Sequence, residues 1–316
     1  FPMKKSLFFS LLIVCTAIQT LVAQQEPRYT MYMYNGLLHN PAYAGRSERL
    51  SIDAYYRNQW VKIDGAPKEI AISGHTALTK KSRFGVGGYL EYDQIGVHQR
   101  FTLGGAYSYR LQVGPGTLSM GVEANILHLR SNWNDVQVNP EGNNDDPLFQ
   151  GNQTAWLPNF GLGLYFNTQA FYLGASCPRL LQNQLYADGT VGNAKEFRNY
   201  FFTVGGVIQP MEDFALKPSA LVKMVPGNAP IQTDLNLNFI FRKMFEMGGS
   251  FRFDSQFVPE SANLIALFHY KDKYRIGYAY DFTISQLQSY TSGSHEITLG
   301  IDIGGTKNRY KSPRYF

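Results

Sequence analysis

The side chains able to do chemistry are sparse, and their spacing gives none of the usual catalytic or metal-binding constellations. Among six histidines, His75, His98, His128 and His269 form no His-x-x-x-His pair that would set two imidazoles on one helix face. No serine sits in a nucleophile-elbow context. Cys15 lies in an apolar N-terminal run, and Cys177 stands alone once that run is removed. No internal disulfide or cysteine zinc site follows. Asn143-Asn144-Asp145-Asp146 offers oxygens to a surface Ca²⁺ but lacks the spacing of a Ca²⁺ loop, and equally reads as a solvated turn. No catalytic residue, cofactor or metal is expected, and the chain is not expected to be an enzyme.

The remaining polar groups are charges set at alternate positions: Asp53, Arg57, Glu69, Arg83, Glu91, Asp93, Arg100, Arg110, Glu123, Asp234, Arg242, Glu246, Arg252, Arg275, Asp281, Glu296 and Asp302. Both signs are mixed among them. Such a mixture suits ion pairs bracing a filled or protein-lined interior better than the one-signed ring of a selective pore. A merely hydrated interior is the alternative.

The elements that must position these charges are strands of period two. In 83–93, Phe84, Val86, Leu90 and Tyr92 oppose Arg83, Tyr89, Glu91 and Asp93. In 231–242, Leu235, Leu237, Phe239 and Phe241 oppose Gln232, Asp234, Asn236 and Asn238. One face is apolar and the other polar, as in a half-buried strand. Strands are predicted at 49–56, 68–78, 83–93, 97–111, 117–129, 158–166, 169–176, 197–209, 213–225, 231–242, 244–254, 260–270, 273–284 and 294–303. This is about 14 strands, an even number, most near the length that a tilted strand uses to cross a bilayer.

Every second connection is tight, at 79–82, 113–116, 167–168, 210–212, 243 and 271–272, whereas 130–157, 177–196 and 285–293 are long. Long outer loops alternating with short periplasmic turns are the pattern of an outer-membrane barrel, and they put both chain ends in the periplasm. The fold class is therefore all-β, a transmembrane antiparallel β-barrel with a periplasmic N-terminal segment. A water-soluble β-sandwich has two-faced strands as well, but the unbroken run of hairpins and the lack of a composition break argue against it. Tyr55, Tyr56, Trp60, Tyr92, Tyr107, Tyr109, Trp156, Tyr200 and Tyr270 are expected to form the interfacial aromatic girdles.

Composition fits this class. Charged residues make up 17% and aromatics 15% of 316 residues, with 30 Gly. Lys4 and Lys5, the apolar stretch 7–14 and Leu21-Val22-Ala23 read as a secretory signal peptide over 1–23, too short in its apolar run for a spanning helix. Beyond it the sequence divides into a periplasmic or lumen-capping segment (24–48), the barrel (49–303) and a basic tail (304–316). The net charge of +5 resides partly in the leader and in the tail, so it does not indicate a nucleic-acid partner. Lys307, Arg309, Lys311 and Arg314 make the tail either a docking surface for an acidic periplasmic protein or a solvated end.

Residues 29–45 are aromatic-rich but not strand-like, with Asn40-Pro41 and Ala44-Gly45 as turn punctuation. They either fold into the lumen, cap its periplasmic mouth or stay as a disordered leader to the first strand. His39-Asn40-Pro41-Ala42-Tyr43-Ala44-Gly45, followed by Tyr56-Arg57-Asn58-Gln59-Trp60, resembles the N-terminal signature of the PorP/SprF family of type IX secretion membrane proteins. Near the other end, Gly277-Tyr278-Ala279-Tyr280-Asp281-Phe282 and Gly293-Ser294-His295-Glu296-Ile297 resemble that family's last hairpin.

The resemblance implies an outer-membrane barrel of Bacteroidetes that works with the type IX machinery. It also implies a partner: a secreted surface protein, adhesin-like and used in gliding, whose C-terminal domain the barrel helps export or anchor. The motif residues that carry it are Asn40, Pro41, Ala42, Tyr43, Ala44, Gly45, Trp60, Tyr280, Asp281, His295 and Glu296, and none has a catalytic role. A passive channel for small solutes is the rival function.

Overall fold

A computed structural model describes residues 28–78, 83–133, 152–185, 195–226 and 229–304. The leader, the 79–82 turn, Asn143–Asp146 and the basic tail beyond residue 304 lie outside them. The strands are β1 (Leu50–Asn58), β2 (Lys68–Ala77), β3 (Phe84–Ile95), β4 (His98–Val113), β5 (Gly116–Asn132), β6 (Asn152–Asn167) and β7 (Phe171–Cys177). They continue as β8 (Tyr200–Gly206), β9 (Ile208–Met211), β10 (Phe214–Met224), β11 (Gln232–Phe241), β12 (Phe245–Asp254), β13 (Pro259–Tyr270), β14 (Tyr274–Thr283) and β15 (Ser294–Ile303).

Each strand pairs antiparallel with its sequence neighbour, and β15 pairs with β1 from Leu50↔Ile303 to Asn58↔His295. β8 and β9 both pair with β10 and are two halves of one barrel strand interrupted at Val207. Fifteen segments therefore make a closed ring of fourteen strands. Closure leaves no unpaired edge, which is the condition for a sheet to stand in hydrocarbon.

Burial runs opposite to that of a soluble protein. Leu103, Val122, Phe160, Leu162, Leu164, Leu173, Leu237, Leu264, Ile276 and Leu299 are exposed on the outside, whereas Asp53, Arg57, Glu69, Glu123, Asn159, Lys217, Asp234, Glu246 and Arg252 are buried inside. The alternating faces thus lie as the sequence predicts. Tyr56, Tyr107, Trp156 and Tyr270 are exposed on the outer wall. Tyr55 is not a girdle residue: only 2% exposed, it shares the inward parity of Asp53 and Arg57, and its ring meets that of Tyr29 at 5.7 Å.

One end of the barrel carries the connections 59–67, 96–97, 133–151, 178–199, 225–231, 255–258 and 284–293. The other carries 78–83, 114–115, 168–170, 212–213, 242–244 and 271–273, together with the entry to β1 and the end of β15. Two of these short turns have consecutive left-handed residues, Arg242-Lys243 (φ 49° and 54°) and Lys271-Asp272 (φ 52° and 51°). That is the type I′ geometry, whose twist matches the strands it joins.

The outer wall should tolerate charge only near its rims. Leu162→Arg, midway along β6, is expected to cost about 2 to 4 kcal/mol, and Met211→Arg at a rim about 0 to 1 kcal/mol. Urea titration of the vesicle-inserted protein measures both; equal costs would contradict the membrane placement of the wall.

Candidate functional site: a plugged lumen closed at the seam

Residues 28–45 fold inside the barrel. They are short of regular structure because each turn is dictated by the wall: three single-turn 3₁₀ segments, Tyr32–Tyr34, Gly36–Leu38 and Pro41–Tyr43, follow one another. Met31, Leu37, Ala42 and Ala44 are at most 1% exposed. Two apolar clusters hold the plug. Tyr29, Met31, Tyr32 and Met33 pack with Tyr55, Phe201, Leu221, Ile265 and Leu267. Leu37, Ala42, Tyr43 and Ala44 pack with Ala106, Tyr165 and Tyr172.

The Asn40–Gly45 motif is the lower half of this plug. Asn40 caps its 3₁₀ turn by accepting from the Ala42 N–H (2.9 Å) and donates through Nδ2 to the Leu164 carbonyl on the wall (2.9 Å). Pro41 follows as the first helical residue, where its missing N–H is not needed. The Ala44 carbonyl accepts from Ser108 Oγ and the Gly45 carbonyl from Arg110 Nη1, both at 2.6 Å. Gly45 adopts φ +72°, a conformation that a side chain would strain. Gly121 is needed on the wall itself, because a Cβ there would meet the Ala42 backbone nitrogen at 2.1 Å. Tyr43 stands edge-on to His75 and Tyr165, at 5.2 and 5.5 Å.

Pairing of β15 with β1 brings the two ends of the sequence together. Arg57, on β1, donates to Asp281 (2.6 Å) from β14 and to Glu296 (2.9 Å) from β15, with Glu69 of β2 at 3.8 Å. Its guanidinium also donates to Thr30 Oγ1 (3.1 Å), and that hydroxyl donates to Asp281 (2.8 Å). The two carboxylate oxygens of Glu296 accept the backbone N–H groups of Thr30 and Met31, at 2.7 and 2.9 Å. One carboxylate thus binds the seam and the plug at once. Charges this deep are costly to desolvate and persist only when they are paired.

Other wall charges reach the plug or each other. The Tyr29 hydroxyl donates to Glu91 (3.0 Å). That of Tyr34 donates to Glu246, which also takes Asn238 Nδ2 (2.7 Å), His269 Nε2 (3.2 Å) and Lys217 Nζ (3.6 Å). Arg252 pairs with Asp234 (2.6 Å), and Arg275 with Asp53 (2.7 Å) and Asp302 (3.1 Å). Glu123 accepts from Tyr89 and Asn125. Arg100 is half-buried on the same face.

Two charges expected inside are elsewhere. Arg83 is exposed at the start of β3, and Arg242, 67% exposed in a rim turn, lies 4.0 Å from Asp213. Both sit where the chain leaves the sheet and parity no longer aims a side chain inward. The remaining motif residues lie at the long-loop rim: Trp60, half-buried, donates its backbone N–H to Ser294 Oγ (3.1 Å), and Tyr280, with the outward parity of Tyr278 and Phe282, donates to the Ser292 carbonyl (2.5 Å) while its ring meets that of His295 at 5.1 Å. His295 Nδ1 lies 2.7 Å from the Tyr278 hydroxyl.

Sequence reasoning missed the apolar receivers of the plug, Phe201, Leu221, Ile265 and Leu267. The signal was present: they share parity with polar inward residues such as Asn263 yet are apolar, which an empty aqueous lumen would not favour. Also unforeseen is the direction of the plug. Arg28 pairs with Glu260 at 2.5 Å, next to the 255–258 connection, so the plug runs from the long-loop mouth to the short-turn rim at β1. Of the alternatives the sequence leaves open for this segment, residues 28–45 take the one in which it folds into the lumen.

This architecture defines a porin-like outer-membrane barrel whose lumen is occupied by its own N-terminal segment. In fold it is similar to the CymD monoaromatic hydrocarbon channel, at 12% identity and a TM-score of 0.51 over 85% of this chain and 93% of that one. The NanC porin aligns over 81% of this chain and all of its own, at 8% identity and a TM-score of 0.42. Comparison with curated proteins gives no match. The family model for the type IX secretion system membrane protein PorP/SprF matches residues 21–301. The chain belongs to that family, and it is an outer-membrane component of type IX secretion.

Removing the cation at the seam should be severe. Arg57→Leu leaves three facing carboxylates uncompensated, and a loss of about 3 to 5 kcal/mol is expected, read as a lower temperature of heat modification on gels. A loss below 1 kcal/mol would show that the network is not structural. The plug's direction is tested separately: with the long loops outside, Arg28→Cys should react with a membrane-impermeant maleimide on intact cells, Cys177 being buried. Labelling only after permeabilisation would reverse the orientation.

Proposed function

We propose that this barrel is a non-enzymatic holder of secreted cargo. It binds the C-terminal domain of a secreted, adhesin-like surface protein at its long-loop end, and helps export that protein or anchors it at the cell surface in support of gliding. Family membership implies association with the secretion machinery and its cargo.

The observation that carries the reading is the filled lumen. A passive solute channel needs a continuous aqueous path, and the path is here occupied by residues 28–45, tied to four wall carboxylates, Glu91, Glu246, Asp281 and Glu296. Ordered polar contacts of this number resist displacement by a small solute, so the useful surface is the mouth and its loops. The channel function suggested by the printed name of the CymD structure is the rival, but a fold shared at 12% identity does not carry an activity.

Two measurements decide between them. Extraction of the intact barrel in mild detergent is expected to bring down a large surface protein with a β-rich C-terminal domain. In a planar bilayer the bare barrel is expected to be electrically silent. A barrel that purifies alone and conducts ions steadily would favour the channel.

A further inference from the structure

The outer wall carries a groove that the barrel's own side chains leave unfilled. It spans β13, β14, β15 and β1 and has a volume of about 380 Å³. Ala54, on the outer face between Ile52 and Tyr56, offers only a methyl group, and Ile276 and Leu299 form the floor beside it. One side is built by Tyr270 and Tyr274, whose rings stack at 6.4 Å across the turn that joins β13 to β14.

That turn is basic. Lys271 Nζ lies 4.9 Å from the centre of the Tyr270 ring, and Lys273 Nζ lies 5.1 Å from that of Tyr274. Arg49, on the approach to β1, donates through Nη1 to the Asp272 carbonyl at 3.1 Å. Three cations therefore gather at one end of an apolar groove, with Asp272 the acid of the turn. Tyr at the edge of the apolar band and Lys beyond it mark headgroup depth. An apolar trough with positive charge at one end matches an amphipathic molecule with a hydrocarbon tail and an anionic head.

We propose that this groove is a binding site for an anionic glycerophospholipid of the leaflet at the short-turn side. One acyl chain lies along Ala54, Ile276 and Leu299, and the phosphate is held by Lys271, Lys273 and Arg49. The lipid is an integral part of the wall at the seam where β15 meets β1, and the site is independent of any cargo-holding role.

The test uses the full-length barrel in mild detergent, titrated with phosphatidylglycerol and phosphatidylcholine of matched chains and followed by native mass spectrometry. Phosphatidylglycerol is expected to fill one site first. Lys271→Gln and Lys273→Gln should each weaken its binding about fivefold, leaving phosphatidylcholine unchanged. Ala54→Phe should abolish retention of either lipid, with Ala54→Leu intermediate; both change only an outer side chain, and heat modification on gels reports that the barrel is folded. Equal binding of the two lipids, a phosphatidylglycerol preference that survives loss of both lysines, full retention by Ala54→Phe, or a lipid-free dimer seated on this face would each overturn the proposal.

Discussion

Hydrocarbon offers no partner to an amide or a carbonyl, and each such group left open within a bilayer costs several kcal/mol. The pairing of β15 with β1 is therefore the contact on which the rest depends. Without it the sheet has two unsatisfied edges; with it, residues far apart in the chain, such as Arg57 and Glu296, 239 positions apart, face each other in one wall. The charges that need burial and partners are then supplied with both. Arg57 meets Glu296 across the closing pair itself and Asp281 one strand further on.

The seam also explains the plug. Glu296 holds the backbone of Thr30 and Met31 as well as Arg57, so the same group that completes the ring fixes the segment filling it. A ring of this size encloses more space than its own inward side chains occupy. Aromatic and methionine residues of the plug take up that space, packing on the apolar inward residues and leaving polar wall groups to be met by the plug's backbone. Filling the lumen and satisfying the wall are thus one process, which is why a segment with so little regular structure is so deeply buried.

The two sets of family motif residues acquire a common meaning from this arrangement. Asn40 to Gly45 set the lower plug against the wall through Leu164, Ser108 and Arg110. Trp60, Tyr280, Asp281, His295 and Glu296 frame the upper seam. Neither set contains a nucleophile poised beside a base. Both position backbone and close space, one set in the lumen and the other at the seam.

Alternation of residue types was enough to define the strands, their faces and the even count, because an environment that is oily on one side and polar on the other imposes its period directly on the residues. It assigns Asp234, Arg252 and Asp281 to the inward face, where they are buried, and the motifs pointed to the family. Parity alone could have put Tyr55 inside too, but its aromatic type suggested the girdle. At Arg83 and Arg242 the period itself failed, since side chains in rim turns are no longer aimed by the pleat. Only the tertiary structure decided what fills the lumen, which way residues 28–45 run through it, and which carboxylate meets Arg57. Those outcomes depend on contacts between residues far apart in the chain, made once the ring has closed, and no local pattern of residues encodes them.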